Sequence, residues 1–284
     1  MGSVEETMNR FKRVFSISFT LALVLIMITA CGQSPQSSEN KIFTMVGSST
    51  IQPLAEKLAE AYMAENSSVR VDVQGGGSSV GVKAAGGQTA DIGMASRDVK
   101  ESEFSEFPNI VVTVIARDGI AIIANENVGV SDLSLEQIQK IFSGQIKNWS
   151  ELGGADAHII VVSREEGSGT RTAFEEMVLG EDLLMTETAI LQPSNGSVRT
   201  TVSTTPDAIG YLSFGYLDES VKAISVDGVA PTEANASNGT YPVVRPLNII
   251  TYGEPSGDLK LFIDYILSDS GQAIVGDEGY IAVN

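Results

Sequence analysis

The sequence predicts an α/β fold in two lobes, on three observations. After residue 40, short apolar runs with strand character alternate with runs at helical spacing. Two long, extended apolar segments, residues 110–126 and 241–253, interrupt that alternation and can carry the chain from one lobe to the other and back. Turns rich in Ser and Gly recur where strands give way to helices, the place where a cleft between α/β lobes is lined.

KIFTMVG (41–47) reads as a strand. In SSTIQPLAEKLAEAYMAEN (48–66), Ile51, Leu54, Leu58 and Tyr62 share one helical face, with Ser49 or Thr50 as N-cap. VRVDVQ (69–74) alternates as a strand with Val69, Val71 and Val73 on one side. GGGSSVGVKAAGG (75–87) is a loop opening a short helix, and DIGMAS (91–96) is a third strand. This β-α-β-α-β order predicts a mostly parallel sheet flanked by helices.

The run 110–126 is long enough for two strands, broken at Arg117–Gly119, or for one strand that changes lobe. LSLEQIQKIFSG (133–144) puts Leu135, Ile138, Ile141 and Phe142 at helical spacing before a terminal glycine. HIIVVS (158–163) is a strand. GSVRTTVSTTPDAIGYLSF (196–214) gives a helix, a break at Pro206 and a strand, and VKAISVDG (221–228) a further strand. YPVVRPLNIITYG (241–253) returns the chain, and GDLKLFIDYILS (257–268) is an amphipathic helix with Leu261, Ile263, Tyr265 and Ile266 apolar. The expected lobes are therefore 41–116 with 247–284, and 117–246.

The first 40 residues read as targeting. Arg10, Lys12 and Arg13 precede the apolar run LALVLIMI (21–28), which is too short for an ordinary membrane span and suits an export signal. ITAC (28–31) resembles a bacterial lipoprotein box, which implies a signal peptide over 1–30, cleavage before Cys31 and lipid on its thiol. Met1 and Met8 are alternative starts. The polar segment after Cys31, to residue 40, reads as a tether. Cys31 is the only cysteine, so an internal disulfide is excluded. A net charge of −18 excludes nonspecific nucleic-acid binding, which needs a basic footprint.

Four loops share one chemistry: GSST (47–50), GGGSS (75–79), MASR (94–97) and REEGSGT (164–170). Each offers hydroxyls and main-chain N–H groups, and three lead into a helix, whose N-terminus favours an anion. One such loop is only a cap; four at strand exits suggest an anion site. Rival chemistries find less support. GSSVG (77–81) has the spacing of a nucleophile elbow at Ser79, but the one histidine, His158, opens a distant apolar strand. REEGSGTR lacks the P-loop lysine pattern, and no Cys/His cluster exists for a transition metal. Asp91 and Asp98 read as capping or solvated acids and Trp149 as packing, while Asn195 and Gly196 are left open as residues bordering the cleft.

VGSSTIQPLAE (46–56), VDVQGGGSSVGVKAA (71–85), ADIGMASR (90–97), LSLEQIQKIFSGQIKNW (133–149), REEGSGTR (164–171) and AIGYLSF (208–214), in this order, resemble the phosphate-binding lipoproteins of bacterial ABC phosphate importers. The resemblance implies a periplasmic-binding-protein type II fold with a hinge of two crossover segments. It also implies a monomeric receptor for inorganic phosphate, tied to the cell membrane by its lipid and serving the importer's membrane subunits, with no catalysis, cofactor or metal. By motif position the implied ligand residues are Thr50, Ile51, Ser78, Ser96, Arg164, Ser168, Gly169 and Thr170, with Ser79 as an alternative to Ser78 and Arg97 at the rim. Glu166 is implied as an orienter of Arg164, or else as a proton acceptor.

At Ser96 the chain departs from members that carry an aspartate. A carboxylate there accepts the proton that phosphate keeps at neutral pH and repels sulfate, which keeps none. Receptors for sulfate or molybdate, a phosphate-processing enzyme and an adhesin are the competing functions.

Overall fold

The computed structural model describes residues 41–284. The segments read above as an export signal and a tether, with Cys31 between them, lie outside the described residues. Among the described residues no helix is long and apolar enough to cross a membrane.

The first five elements alternate as expected: β1 (Lys41–Gly47), α1 (Gln52–Glu65), β2 (Val69–Gly75), α2 (Ser78–Gly86) and β3 (Ile92–Ala95). β1 pairs in parallel with both β2 and β3. After the short α3 (Glu101–Glu106), one uninterrupted strand, β4 (Ile110–Ala124), runs through the whole apolar segment. β5 (Asp132–Leu133), α4 (Leu135–Phe142), β6 (Ile160–Arg164), α5 (Gly169–Phe174), β7 (Ile190–Gln192), α6 (Asn195–Thr204), β8 (Ala208–Ser213), β9 (Lys222–Val226) and α7 (Glu233–Ser237) follow. β10 (Val244–Tyr252), α8 (Gly257–Ile266) and α9 (Asp269–Asp277) complete the chain.

The sheet path is β2-β1-β3-β10-β4-β8-β6-β7. β4 and β10 pair antiparallel at its centre, with a bulge at Leu247/Asn248. Beyond Gly119, β4 turns to new partners, β8 and β9. The cores follow the same division. One cluster gathers Met45, Leu54, Leu58, Ile92, Ile115, Leu247, Phe262 and neighbours. Another gathers Ile122, Ile138, Phe142, Trp149, Phe174, Tyr211, Ile224 and neighbours. The first draws on residues before 117 and after 246, the second on those between.

Several local expectations are corrected. Of the two readings of 110–126, the single strand is the one observed and the two-strand reading is set aside: Asp118 is cross-strand from Arg245 on β10, and the pairing lets a charge sit inside a buried strand. Neither Ser49 nor Thr50 caps α1; Ser48 Oγ accepts the Thr50 and Ile51 N–H groups at 3.2 and 3.4 Å. On α8, Leu261 faces solvent, and Phe262, Ile263 and Ile266 form the buried stripe. α9 follows α8 directly, capped by Ser268, whose side chain accepts the Gly271 N–H.

Candidate functional site

The first residues of α1, α2, α5 and α6 converge on a buried hydroxyl cluster. Each helix start leaves N–H groups without intrahelical partners and contributes the positive end of its dipole. Ser48, Thr50, Ser78, Ser96, Ser168, Thr170 and Asn195 are all buried there. The two core-bearing parts of the chain meet through it. Thr50 Oγ1 lies 3.1 Å from Thr170 Oγ1 and accepts the Asn195 amide N–H at 2.9 Å. Ser48 Oγ donates to Ser96 Oγ at 2.9 Å, and Ser78 Oγ accepts the Ser96 N–H at 3.0 Å.

Gly169 is required by the closeness of this approach. A Cβ there would come within 2.1 Å of Ser78 Oγ and 2.7 Å of Ser96 Oγ. Ser168, just before it, caps α5 by accepting the Arg171 N–H at 3.3 Å.

Arg164 ends β6 inside the cluster, 2% exposed. Its guanidinium donates to the carbonyls of Gln192 (3.1 Å) and Pro193 (2.8 Å) and to Ser49 Oγ (3.2 Å), and more weakly to Thr170 Oγ1 and Asn195 Oδ1. No carboxylate is among these partners. Burial, opposed by Tyr211 and aided by nearby Arg245, lowers the Arg164 pKa to about 10. The group remains charged at neutral pH, and a buried charge of this kind is costly until an anion meets it.

The predicted ligand residues therefore divide. Thr50, Ser78, Ser96, Arg164, Ser168, Gly169 and Thr170 are brought together, with Ile51 fully buried beside Thr50. Ser79 stands at the edge: its N–H donates to the Gly167 carbonyl at 3.2 Å and its Oγ accepts from Arg97 at 3.3 Å. Arg97, expected at the rim, is instead buried and held in a two-point pair by Glu103 at 2.7 and 2.8 Å. Glu166, expected to orient Arg164, is exposed; main-chain carbonyls of residues 192 and 193 hold the guanidinium instead.

Sequence reasoning missed Ser48, Arg245 and Asp118 and left Asn195 open. Opposite charges inside the two long apolar runs, Asp118 in the first and Arg245 in the second, were the available signal for a buried pair. Trp149 packs in the core, as expected, with its indole N–H on the Asp207 carbonyl at 3.0 Å, and Asp91 accepts from the Thr44 N–H and hydroxyl on β1 rather than capping a helix. His158 is exposed, in a main-chain bridge with Asn148.

A fold of two core-bearing parts joined by a pair of central strands, with an anion-suited cluster where they meet, defines a solute-binding protein, and residues 32–270 match the model of the PBP superfamily domain. The phosphate-binding protein PstS of Bacillus subtilis (strain 168) is 36% identical over 96% of this chain and 95% of its own length. A crystal structure from Clostridium perfringens, described as a phosphate ABC transporter substrate-binding protein with bound phosphate, superimposes with a TM-score of 0.83 at 42% identity. It covers 86% of this chain and 100% of that one. An ABC-type phosphate transport receptor from Vibrio cholerae gives a TM-score of 0.72 at 36% identity, over 84% and 99%. The chain belongs to the PstS family of phosphate-binding proteins.

Proposed function

We propose that this protein is an extracytoplasmic receptor that captures inorganic phosphate and delivers it to the membrane subunits of an ABC importer. The observation that carries the reading is Arg164, a buried guanidinium with no carboxylate partner, set among hydroxyls and helix N-termini. The names of the relatives above support phosphate as the anion. Arg164 offers a planar fork to two oxygens of a tetrahedral ion. Thr50, Ser78, Ser96, Ser168 and Thr170 supply hydroxyls, and Ile51 and Gly169 supply main-chain N–H groups.

In this reading residues 41–116 with 247–284 form one lobe and 117–246 the other. β4 and β10 act as the hinge, and phosphate stabilises the closed arrangement that the importer recognises. Lipid on Cys31 would hold the protein at the membrane. Seven or eight hydrogen bonds to a charged ligand, at roughly 1.5–3 kcal/mol each, are ample for micromolar binding after ordering costs.

Calorimetric titration of the purified protein with phosphate and then sulfate at neutral pH tests the proposal. Micromolar or tighter phosphate binding, with compaction in small-angle scattering, is expected. An absence of phosphate binding would overturn it, and equal sulfate affinity would make the protein a general oxyanion receptor.

A further inference from the structure

We propose that Arg245 is a second guanidinium of the anion site, positioned by Asp118; this rests on the phosphate reading above. The two residues are directly opposite on β10 and β4, the strands that link the two cores. Arg245 is 1% exposed and Asp118 fully buried. Asp118 Oδ2 accepts from Arg245 Nε at 3.1 Å and Nη2 at 2.7 Å, while Oδ1 accepts from Ser213 Oγ at 2.9 Å and the Phe214 N–H at 3.2 Å. Each carboxylate oxygen thus holds two donors. The carboxylate serves Arg245 and has no capacity left for a ligand.

Arg245 itself is not used up. Its Nη1 is buried with no hydrogen-bond partner among the described residues, and its Nη2 also reaches Thr50 Oγ1 at 3.5 Å. Buried donors are nearly always satisfied, so an orphan beside an anion-suited cluster points to a partner of opposite character. Proton accounting at Thr50 leads the same way. Its oxygen accepts from Asn195 Nδ2 and from Arg245 Nη2, which occupies both lone pairs. The Thr50 hydroxyl proton is then committed to donation, toward Thr170 Oγ1 or toward the anion. Arg245 therefore acts twice: Nη1 is a charged donor, and Nη2 fixes Thr50 as a donor. The titratable groups around the pair are Arg164, Tyr216 and Tyr280. Burial raises both tyrosines, Tyr216 to about 12, so they stay neutral through the physiological range.

A second cation matters most for the dianion of phosphate, which predominates at mildly basic pH, and less for the monoanion at mildly acidic pH. The test is phosphate calorimetry on the full chain at both pH values, for the wild type, Arg164→Met, Arg245→Lys and the charge-neutral double variant Asp118→Asn/Arg245→Gln. The double variant is expected to bind phosphate roughly tenfold to a hundredfold more weakly, with the deeper loss at basic pH. Arg245→Lys keeps the pairing with Asp118, and with it the fold, but lacks the second amino arm; a several-fold loss is expected. Unchanged affinity in Arg245→Lys, or a double variant that melts cooperatively and binds within about twofold of wild type, would overturn the role of Arg245 while Arg164→Met still lost binding. A loss equal at both pH values would also overturn it, because disturbed packing alone does not distinguish monoanion from dianion. Wild type without phosphate binding, or Arg164→Met binding normally, would instead remove the phosphate site itself and this inference with it.

Discussion

Arg97 and Arg164 are both buried arginines at the ends of parallel strands, yet they have opposite surroundings. Arg97 meets Glu103 across two hydrogen bonds of 2.7 and 2.8 Å, and its charge is neutralised within the fold. Burial pushes the Glu103 carboxyl up, but the hydrogen bonds from Arg97 and the Lys100 N–H, together with the charges of those two residues, outweigh it and hold the group below its ordinary value. Arg164 meets only neutral oxygens, and burial pulls its pKa down to about 10. Both sit in motifs that resemble an anion loop. The difference between them is whether the protein supplies the counter-charge, and it separates an arginine neutralised within the fold from the one proposed to meet phosphate.

The largest expected effect comes from removing the uncompensated charge. Arg164→Met should weaken phosphate binding by about 3 kcal/mol or more, at least a hundredfold, because a charged, desolvated donor is lost. Without phosphate its melting temperature should not fall, since an unpaired buried cation is removed. A variant that melted much lower but bound normally would reverse the comparison.

Arg97→Met should do the opposite. It strands the Glu103 carboxylate, which is largely buried, and should cost about 3 kcal/mol of stability. Phosphate affinity should stay within about threefold. The sign with pH follows from the depressed Glu103 pKa: its contribution is complete above the unfolded glutamate value and is lost as pH falls through the lower folded value. The stability gap between wild type and Arg97→Met should therefore narrow in acid. Thermal melts across the acid range read this directly.

The alternation of apolar runs made the architecture legible, because β1 to β3 and the helices between them bury regular faces. The four Ser/Gly loops announced the cluster for a similar local reason: helix N-caps and close approaches need those residue types. What could not be read was pairing over long sequence separations. Glu103 and Glu166 are both acids near an arginine in sequence, and only the packing makes Glu103 a partner while leaving Glu166 in solvent. Asp118 looked like a strand break because its partner lies 127 residues away. The sequence shows Ser48 only as part of the GSST loop and not as the residue that holds the helix start, since register alone decides which hydroxyl turns back onto it.

A smaller effect is expected at Ser96. Its oxygen already accepts from Ser48, so Ser96→Asp would place a carboxylate where a donor is waiting for it. Sulfate brings no proton to that carboxylate, whereas phosphate does, so the phosphate-to-sulfate affinity ratio should rise by about tenfold or more. Competition titrations of the two anions measure it, and an unchanged ratio would place Ser96 outside contact with the ligand.

The smallest effect is expected one residue from a position where it should be large. Ser78 Oγ faces Ser96 Oγ at 3.4 Å and lies against Gly169, inside the cluster. Ser79 uses its hydroxyl on Arg97, and its contribution to the meeting of the two parts comes from the main-chain N–H on the Gly167 carbonyl, which any side chain preserves. Ser79→Ala should therefore change phosphate affinity by no more than about twofold, while Ser78→Ala loses a hydrogen bond to a charged ligand and about tenfold in affinity. If the two variants were equally damaging, Arg97 would have to act on the ligand through Ser79. The separation between a paired and an unpaired arginine would then no longer mark the boundary of the site.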